Sequence, residues 1–241
     1  MERDGGRITA QLEAMKDEWS TSGRAAANLL IDPKFQVTNH FYDTLIHNGF
    51  RRNGTLYYRP HCPSCSRCRS VRIRVKDFEW RRSFRRIIKK NDNISLRLAP
   101  LQFKEEHFSL YLAYQSARHR GDGMDDSDPV KYQQFMTNSE IDSFMMELRD
   151  GDRLLAVSVL DRVVDGLSAV YTFFEPAEDH RSLGTLAILR QIDLALSAGH
   201  DYLYLGYWIS DCSKMSYKER FSPLEEFDTN AQLWLLHPSV R

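Results

Sequence analysis

The sequence predicts an α+β protein: a small cysteine-containing N-terminal α/β domain, residues 1–100, packed on a larger C-terminal domain, residues 101–241. Three observations carry this reading. Short alternating apolar runs, separated by turn dipeptides, are interleaved with segments of helical spacing. Three of the four cysteines crowd together at Cys62, Cys65 and Cys68. Charge is also divided along the chain. Arg51 to Lys90 holds 14 Lys/Arg against Asp77 and Glu79, a net of +12; the whole chain balances at 33 and 33, so the remainder carries −12. A basic block on an acidic body points to a polyanionic partner.

Taken in order, Phe41, Tyr42, Leu45 and Ile46 lie one turn apart and predict a helix over 39–49, with Asn39 as its cap and Gly49 as its end. A weaker helical pattern runs from Ile8 to Trp19. Asn53-Gly54 is a hairpin dipeptide ahead of the Leu56-Tyr57-Tyr58 strand. Val71, Ile73 and Val75 alternate with Arg72, Arg74 and Lys76, which predicts a half-exposed strand with a basic face. A basic helix over 83–91 and a strand from Ile94 to Leu98 follow, and the domain boundary is expected near residue 100. Phe108, Tyr111, Leu112 and Gln115 predict a helix over 103–119, and Asp128-Pro129 caps a short one to Met136. Strands over 144–148 and 154–160 are joined by the Asp150-Gly151-Asp152 turn, and a third runs over 168–174. Ser182 opens a helix over 183–197 that ends at Gly199, and Tyr202 to Leu205 is read as the last strand, parallel to its neighbour.

The first twenty residues are charged and show no apolar leader, and no run approaches the ~18 apolar residues that span a bilayer. A cytoplasmic protein without a membrane partner is expected. In that reducing setting the triplet Cys62, Cys65, Cys68 admits three readings: free thiols in a tight loop, a structural metal such as zinc or an iron–sulfur cluster, or a redox-active site. Four ligands are needed and only three are local, so the metal reading calls on His61, Cys212 or an N-terminal residue to complete the set. Arg81, Arg82, Arg85, Arg86, Lys89 and Lys90 come in pairs one turn apart, which puts a cationic ridge on a helix suited to a phosphate backbone. Arg181, Ser182, Gly184 and Thr185 open the next helix, where free backbone amides make an anion site. Acetyltransferases of the GNAT superfamily hold a pyrophosphate at such a loop, so the C-terminal domain is expected to be GNAT-like. Arg118 and His119 end a helix and offer a carboxylate-binding or proton-handling corner, with a simple basic helix end as the alternative.

Jointly these stretches resemble the arginyl-tRNA–protein transferase family, closest to its bacterial leucyl-transferring branch. The resemblance rests on Gly49-Phe50-Arg51-Arg52, Tyr58-Arg59-Pro60-His61-Cys62 with Cys65 and Cys68, Tyr114, Arg118-His119, and Tyr171-Thr172-Phe173-Phe174-Glu175-Pro176. It continues through Ser182-Leu183-Gly184-Thr185, Tyr202-Leu203-Tyr204-Leu205-Gly206-Tyr207 and Met215-Ser216-Tyr217-Lys218, over roughly residues 25–235. It implies transfer of an aminoacyl group, leucine here, from leucyl-tRNA to proteins with N-terminal Asp or Glu, which creates an N-degron. One departure stands out: where the family usually has a further Cys some six residues before Gly23-Arg24, this chain reads Asp17-Glu18-Trp19-Ser20-Thr21-Ser22.

The chemistry needs no cofactor, because an aminoacyl ester is already activated. Catalytic candidates are His119, Tyr114 and Tyr217. Arg118 and Lys218 are candidates for reading the acceptor's acid, and Tyr171, Phe173, Tyr204 and Tyr207 for lining the pocket of the transferred side chain. A leucyl side chain needs an uncharged pocket, whereas arginine needs a buried acid such as Glu175. Two rivals explain part of the sequence: a coenzyme A-dependent GNAT N-acetyltransferase, which leaves the basic block unused, and a non-catalytic zinc-ribbon nucleic-acid module, which leaves the C-terminal half idle.

Overall fold

A computed structural model describes residues 27–118 and 128–238, together with the backbone of Leu12–Glu13. Along the chain run β1 (Leu12–Glu13), β2 (Asn28–Leu30), α1 (Asn39–His47), β3 (Arg51–Asn53), β4 (Leu56–Pro60), β5 (Arg69–Arg74), α2 (Arg82–Lys90) and β6 (Ile94–Pro100). Next come α3 (Glu105–Arg118), α4 (Pro129–Met136), β7 (Ser143–Asp150), β8 (Arg153–Val163), β9 (Gly166–Phe174), α5 (Leu183–Ser197) and β10 (Tyr202–Trp208). The chain closes through α6 (Ser213–Ser216), a 3-10 turn at Tyr217–Arg220, β11 (Leu224–Asp228) and β12 (Leu233–Leu236). Leu12–Glu13 pair with Asn28 and Leu29 as a strand, where the pattern over 8–19 predicts a helix; the rest of that stretch lies outside the described residues.

Local chemistry explains the element ends. The Thr38 hydroxyl, not Asn39, caps α1 by accepting from the Phe41 N–H at 3.2 Å. Asn39 instead accepts from the Asp142 backbone N–H across to the start of β7. Gly54 and Gly151 take φ of 58° and 59° in their hairpin turns, the left-handed region that glycine enters without steric cost.

Two sheets result. The small one has the order β1-β2-β4-β3, and the large one β12-β11-β5-β10-β9-β8-β7-β6. The large sheet crosses the sequence position where a domain division at residue 100 is expected, since β5 and β6 come from before it. The predicted meander is present: β7, β8 and β9 run antiparallel, α5 crosses over, and β10 returns parallel to β9. β10 is not the last strand; β11 and β12 extend the sheet beyond β5. That addition also corrects the reading of β5. It is an interior strand, with Ser70, Val71, Arg72 and Ile73 buried, rather than a half-exposed one with a basic face.

Three apolar layers hold the sheet. Leu183, Leu186, Leu189 and Ile192 of α5 pack on Val71, Ile73, Leu203 and Leu205. On the opposite face, Phe108 and Tyr111 of α3 and Tyr132 and Met136 of α4 cover Val157, Val159 and Phe173. Tyr42, Leu45 and Ile46 of α1 meet Tyr57 of the β3–β4 hairpin and Tyr204. Burial of each such aliphatic side chain contributes about 1.5–3 kcal/mol. Leu186, with no exposed surface, is a position where truncation to Ala costs about 2–5 kcal/mol.

β9 and β10 pair over only three residues, Gly166–Ser168 against Tyr202–Tyr204. Beyond Ser168 and Tyr204 the two strands continue separately to Phe174 and Trp208. A bulge between Tyr204 and Gly206 turns β10 away, with Gly206 at φ 82°. The sheet is therefore forked, and the inner edge of each prong has left its ladder.

Candidate active site

The mouth of the fork is built by α3, the end of β9 and the start of α5. Ser182 sits at φ 56° and gives α5 no side-chain cap, so the first amides of the helix are not taken by that residue. Phe174 lies against this helix start: a Cβ at Gly184 would meet its Cε1 at 3.0 Å. The same ring meets Tyr114 edge-on at 4.9 Å and carries the Arg118 guanidinium at 5.3 Å. Tyr114, Arg118 and Gly184, read separately from the sequence, thus converge on one aromatic ring. Thr185 is one residue further along α5. His119 lies outside the described residues.

Tyr217 belongs to the same neighbourhood. Partial burial, then the nearby Tyr114, push its phenol up to about 12. Tyr114 is itself raised by burial. Both phenols keep their protons at neutral pH, so they donate hydrogen bonds and are not general bases.

One wall is aromatic and uncharged. Tyr171 meets Phe135 at 5.1 Å and Phe173 at 6.5 Å, and its hydroxyl donates to Gln115 Oε1 at 3.4 Å. Gln115 Nε2 donates to the Tyr111 hydroxyl at 2.8 Å, which orients the amide. Phe173 and Tyr204 have no exposed surface, so they back this region rather than line it. Tyr204 is also drawn to the other side of the sheet by Asp165, which accepts from its hydroxyl at 3.1 and 3.2 Å. Tyr207 faces the N-terminal hairpin, donating to the Gly49 and Tyr58 carbonyls at 3.1 and 3.0 Å. Glu175, the acid that an arginyl pocket would need, accepts from the Ala177 N–H at 3.1 Å and lies 3.8 Å from Arg153.

The floor of the fork holds two cations. Arg51 reaches from β3 to donate to the Ala169 carbonyl of β9. A Cβ at Gly206 would meet its guanidinium at 3.6 Å, an ordinary contact, so it is the φ of 82° rather than lack of room that calls for glycine there. Lys218 Nζ donates to the Tyr207 carbonyl of β10. The residues are 5% and 8% exposed. Burial, then the Arg51 charge, pull the Lys218 ammonium down to about 7. Arg51 stands in the sequence only as part of a motif; its isolation in the fork is visible only once β3 is docked on the large sheet.

The basic block separates into two parts. On β5 and beside it the charges are compensated: Arg72 pairs with Glu225 at 2.7 Å, Arg74 with Asp77 at 2.6 Å, Arg67 with Asp211 at 2.6 Å, and Arg69 with Glu226. On α2, Arg82, Arg85, Arg86 and Lys89 are exposed and make no ion pair among the described residues. Arg81 is engaged by Glu79 at 2.9 Å, and Arg181 by Glu178 and Asp150 at 2.9 and 3.0 Å. Lys90 Nζ donates to the His180 carbonyl at 2.7 Å and Asn91 to that of Arg181 at 3.0 Å, which ties the end of α2 to the start of α5.

Cys62, Cys65, Cys68 and Cys212 are all free and half-buried. Cys62 Sγ accepts from the Ala27 N–H at 3.4 Å. Burial, then Cys62, Cys65 and Cys212, push the Cys68 thiol up. The thiols are therefore neighbours, yet no three His, Cys, Asp or Glu side chains among the described residues form a group that could hold a metal ion. No helix among the described residues is long and apolar enough to cross a membrane.

A sheet forked between parallel strands, with a helix start at the fork's mouth, is the GNAT-like arrangement expected of the C-terminal domain. Comparison with known proteins narrows the class. Residues 21–86 match the N terminus, and 106–228 the C terminus, of the arginine-tRNA-protein transferase family models. The chain is 46% identical over 219 residues to an aspartate/glutamate leucyltransferase of Thiobacillus denitrificans, covering 91% of both chains. It is 43% identical to that of Hahella chejuensis, covering 84% of this chain and 86% of that one, and 46% to that of Methylobacillus flagellatus, covering 84% and 82%. This chain belongs to the arginine-tRNA-protein transferase family.

Proposed function

We propose that the protein transfers leucine from leucyl-tRNA to the N-terminal amine of proteins beginning with Asp or Glu, creating an N-degron in the cytoplasm. The observation that carries the reading is the forked sheet in a chain whose relatives bear the leucyltransferase name over nearly its whole length. In the reaction the neutral α-amine attacks the carbonyl carbon of the aminoacyl ester. A C–N bond forms, the ester C–O bond breaks, its electron pair goes to the ribose oxygen, and the amine's proton ends on that oxygen. An α-amine with a pKa of about 7.7–8.0 is partly neutral at cytosolic pH. Holding amine and ester together supplies on the order of 7 kcal/mol or more, so no covalent relay is needed.

The residues divide this work. Arg82, Arg85, Arg86 and Lys89 of α2 hold the tRNA backbone, and Ser182, Gly184 and Thr185 at the α5 start receive its 3′ end. Arg81, Lys90 and Arg181, being engaged, position these two elements. Tyr114 and Tyr217 donate to the carbonyl oxygen as negative charge develops on it. Tyr171, backed by Phe173, supplies the uncharged wall that suits leucine, and the engagement of Glu175 argues against an arginyl pocket. The acceptor's acid meets a cation, for which Arg118, His119 and Lys218 are the sequence's candidates. A metal or iron–sulfur cluster at Cys62, Cys65 and Cys68 is a separate proposal, tested by metal analysis of the purified protein.

The deciding experiment incubates the protein with leucyl-tRNA or arginyl-tRNA and peptides beginning with Asp, Glu or Ala, and follows peptide mass. Leucine added to the Asp and Glu peptides alone supports the proposal. Arginine added instead reverses the donor, and no transfer from either tRNA overturns the reading.

A further inference from the structure

We propose that Arg51 and Lys218 together form the carboxylate-binding seat for the acceptor's N-terminal Asp or Glu side chain, placed on the floor of the fork between β9 and β10; this rests on the leucyltransferase reading.

The pair is anomalous as pure structure. Both side chains are more than nine-tenths buried, and among the described residues neither is paired with a carboxylate. Arg51 Nη1 is buried with no hydrogen-bond partner among the described residues. Folded proteins pair their buried charges, because an uncompensated one is strongly destabilising. Elsewhere this chain obeys the rule: Arg52 has Asp161, Arg72 has Glu225, and Arg149 has Glu106 and Glu147. Arg51 and Lys218 depart from it side by side. Acting on the Lys218 ammonium are the Tyr207 carbonyl, the Arg51 charge, the Cys212 thiol and the Tyr217 ring 6.0 Å away, and among the described residues no carboxylate pairs with it. An arriving anion supplies the missing partner.

Geometry indicates which anion. Arg51 is fixed on the β9 prong and Lys218 on the β10 prong, so a ligand between them lies where the two strands have left their ladder. An extended chain end entering there runs between two strands that no longer pair with each other. A guanidinium and an ammonium close enough to feel each other's charge suit a two-oxygen planar group. The seat is also set apart from the exposed cations of α2 that suit a phosphate backbone. A carboxamide of the same shape leaves both charges uncompensated, so the seat rejects Asn where it accepts Asp.

The test compares peptides that begin with Asp and with Asn, first in tRNA-free binding by fluorescence anisotropy and then in leucyl transfer. The wild-type protein is expected to favour Asp by about 100-fold or more. Arg51→Gln and Lys218→Gln are each expected to cut that ratio at least tenfold, with the KM for leucyl-tRNA unchanged, and Lys218→Arg to keep most of it. The ratio is read within each variant, so partial loss of folded protein does not move it. An unchanged ratio in both Gln variants, or a raised KM for leucyl-tRNA with the ratio intact, overturns the proposal; the second result gives the pair to the tRNA end instead. The binding arm needs no transfer. If leucine is not transferred, that arm still decides: preference for Asp lost in the variants supports the seat, and no preference in the wild type overturns it.

Discussion

Arg52 grips Asp161 with two parallel bonds, Nε to Oδ2 at 2.8 Å and Nη2 to Oδ1 at 2.5 Å, and neither side chain has any exposed surface. The pair joins β3 to β8, and Tyr42 of α1 and Ser143 of β7 donate to the same carboxylate at 2.8 and 2.7 Å. This junction holds the N-terminal hairpin on the large sheet and so sets where the adjacent Arg51 emerges. Asp161→Ala leaves the guanidinium buried and uncompensated, and is expected to cost about 3–5 kcal/mol. Chemical denaturation checks it. A loss under about 1 kcal/mol, the range of a surface ion pair, would show the junction to be dispensable.

A second junction is pH-sensitive. His47 Nε2 lies 2.8 Å from Asp165, and its Nδ1 lies 2.6 Å from the Asp43 carbonyl. The hydrogen bond to Asp165 raises the His47 pKa against the opposing effect of burial. The folded pKa exceeds the unfolded value of 6.5, so the stabilisation is fully present below that value and lost as pH rises through the folded pKa. Asp165 is lowered despite its burial, chiefly by the hydrogen bond to His47, so its share is present above the unfolded 3.8 and lost as pH falls. His47→Gln is therefore expected to lower Tm more at pH 6 than at pH 8. Equal losses at the two pH values would remove the charge from the explanation.

The meander, α5 and the α2 ridge are legible in the sequence because periodicity and turn dipeptides are local signals. β11 is not. Leu224-Glu225-Glu226-Phe227 reads as acidic and irregular until Glu225 and Glu226 are seen facing Arg72 and Arg69 of β5. Strand and partner are 153 residues apart at that pair, so complementary charge, not alternation, specifies the pairing. The same pairing compensates Arg69 and Arg72 of the apparent basic block. The site follows the same division. Tyr114, Arg118, Gly184 and Tyr217 are readable as motif residues, whereas Phe174, which gathers three of them, and Arg51, whose isolation depends on hairpin docking, are products of tertiary structure.

With the cations of β5 compensated, the exposed cations of α2 are the surface proposed to face tRNA. Reversal of Arg82, Arg85, Arg86 and Lys89 to Glu is expected to weaken tRNA binding and flatten its salt dependence. The log–log slope should fall by roughly 0.7–0.9 for each phosphate that is no longer neutralised. Thermal stability should change little, because these side chains are exposed and make no ion pair among the described residues. Filter binding at low and at near-physiological salt reads the slope. An unchanged slope moves the tRNA elsewhere on the protein.

Tyr217 offers a separation of hydroxyl from ring. With its phenol pushed up to about 12 by burial and Tyr114, it stays protonated across the working range. Tyr217→Phe is expected to lower kcat on the order of 10²-fold, the cost of removing one donor to a developing oxyanion. The shape of the pH–rate profile between pH 6 and 9 should be retained. A profile that loses a limb in the variant would instead make Tyr217 a titrating acid or base.

Lys218 gives the most direct physical reading of the fork. Its folded pKa is lowered from 10.5 to about 7, first by burial and then by Arg51. Below about pH 7 both folded and unfolded chains carry the proton, and the full cost of the buried charge is present. Between 7 and 10.5 the unfolded chain binds more protons than the folded one, so stability from this group rises with pH, by up to about 1.36 kcal/mol per pH unit. Lys218→Met abolishes that rise. The variant should be more stable than the wild type at pH 6, and the gain should shrink steadily towards pH 10. Denaturation midpoints at four pH values suffice. A difference that does not vary with pH would mean that the ammonium carries no uncompensated charge in the free protein, and the Arg51–Lys218 seat would then already be neutralised before any acidic chain end arrives.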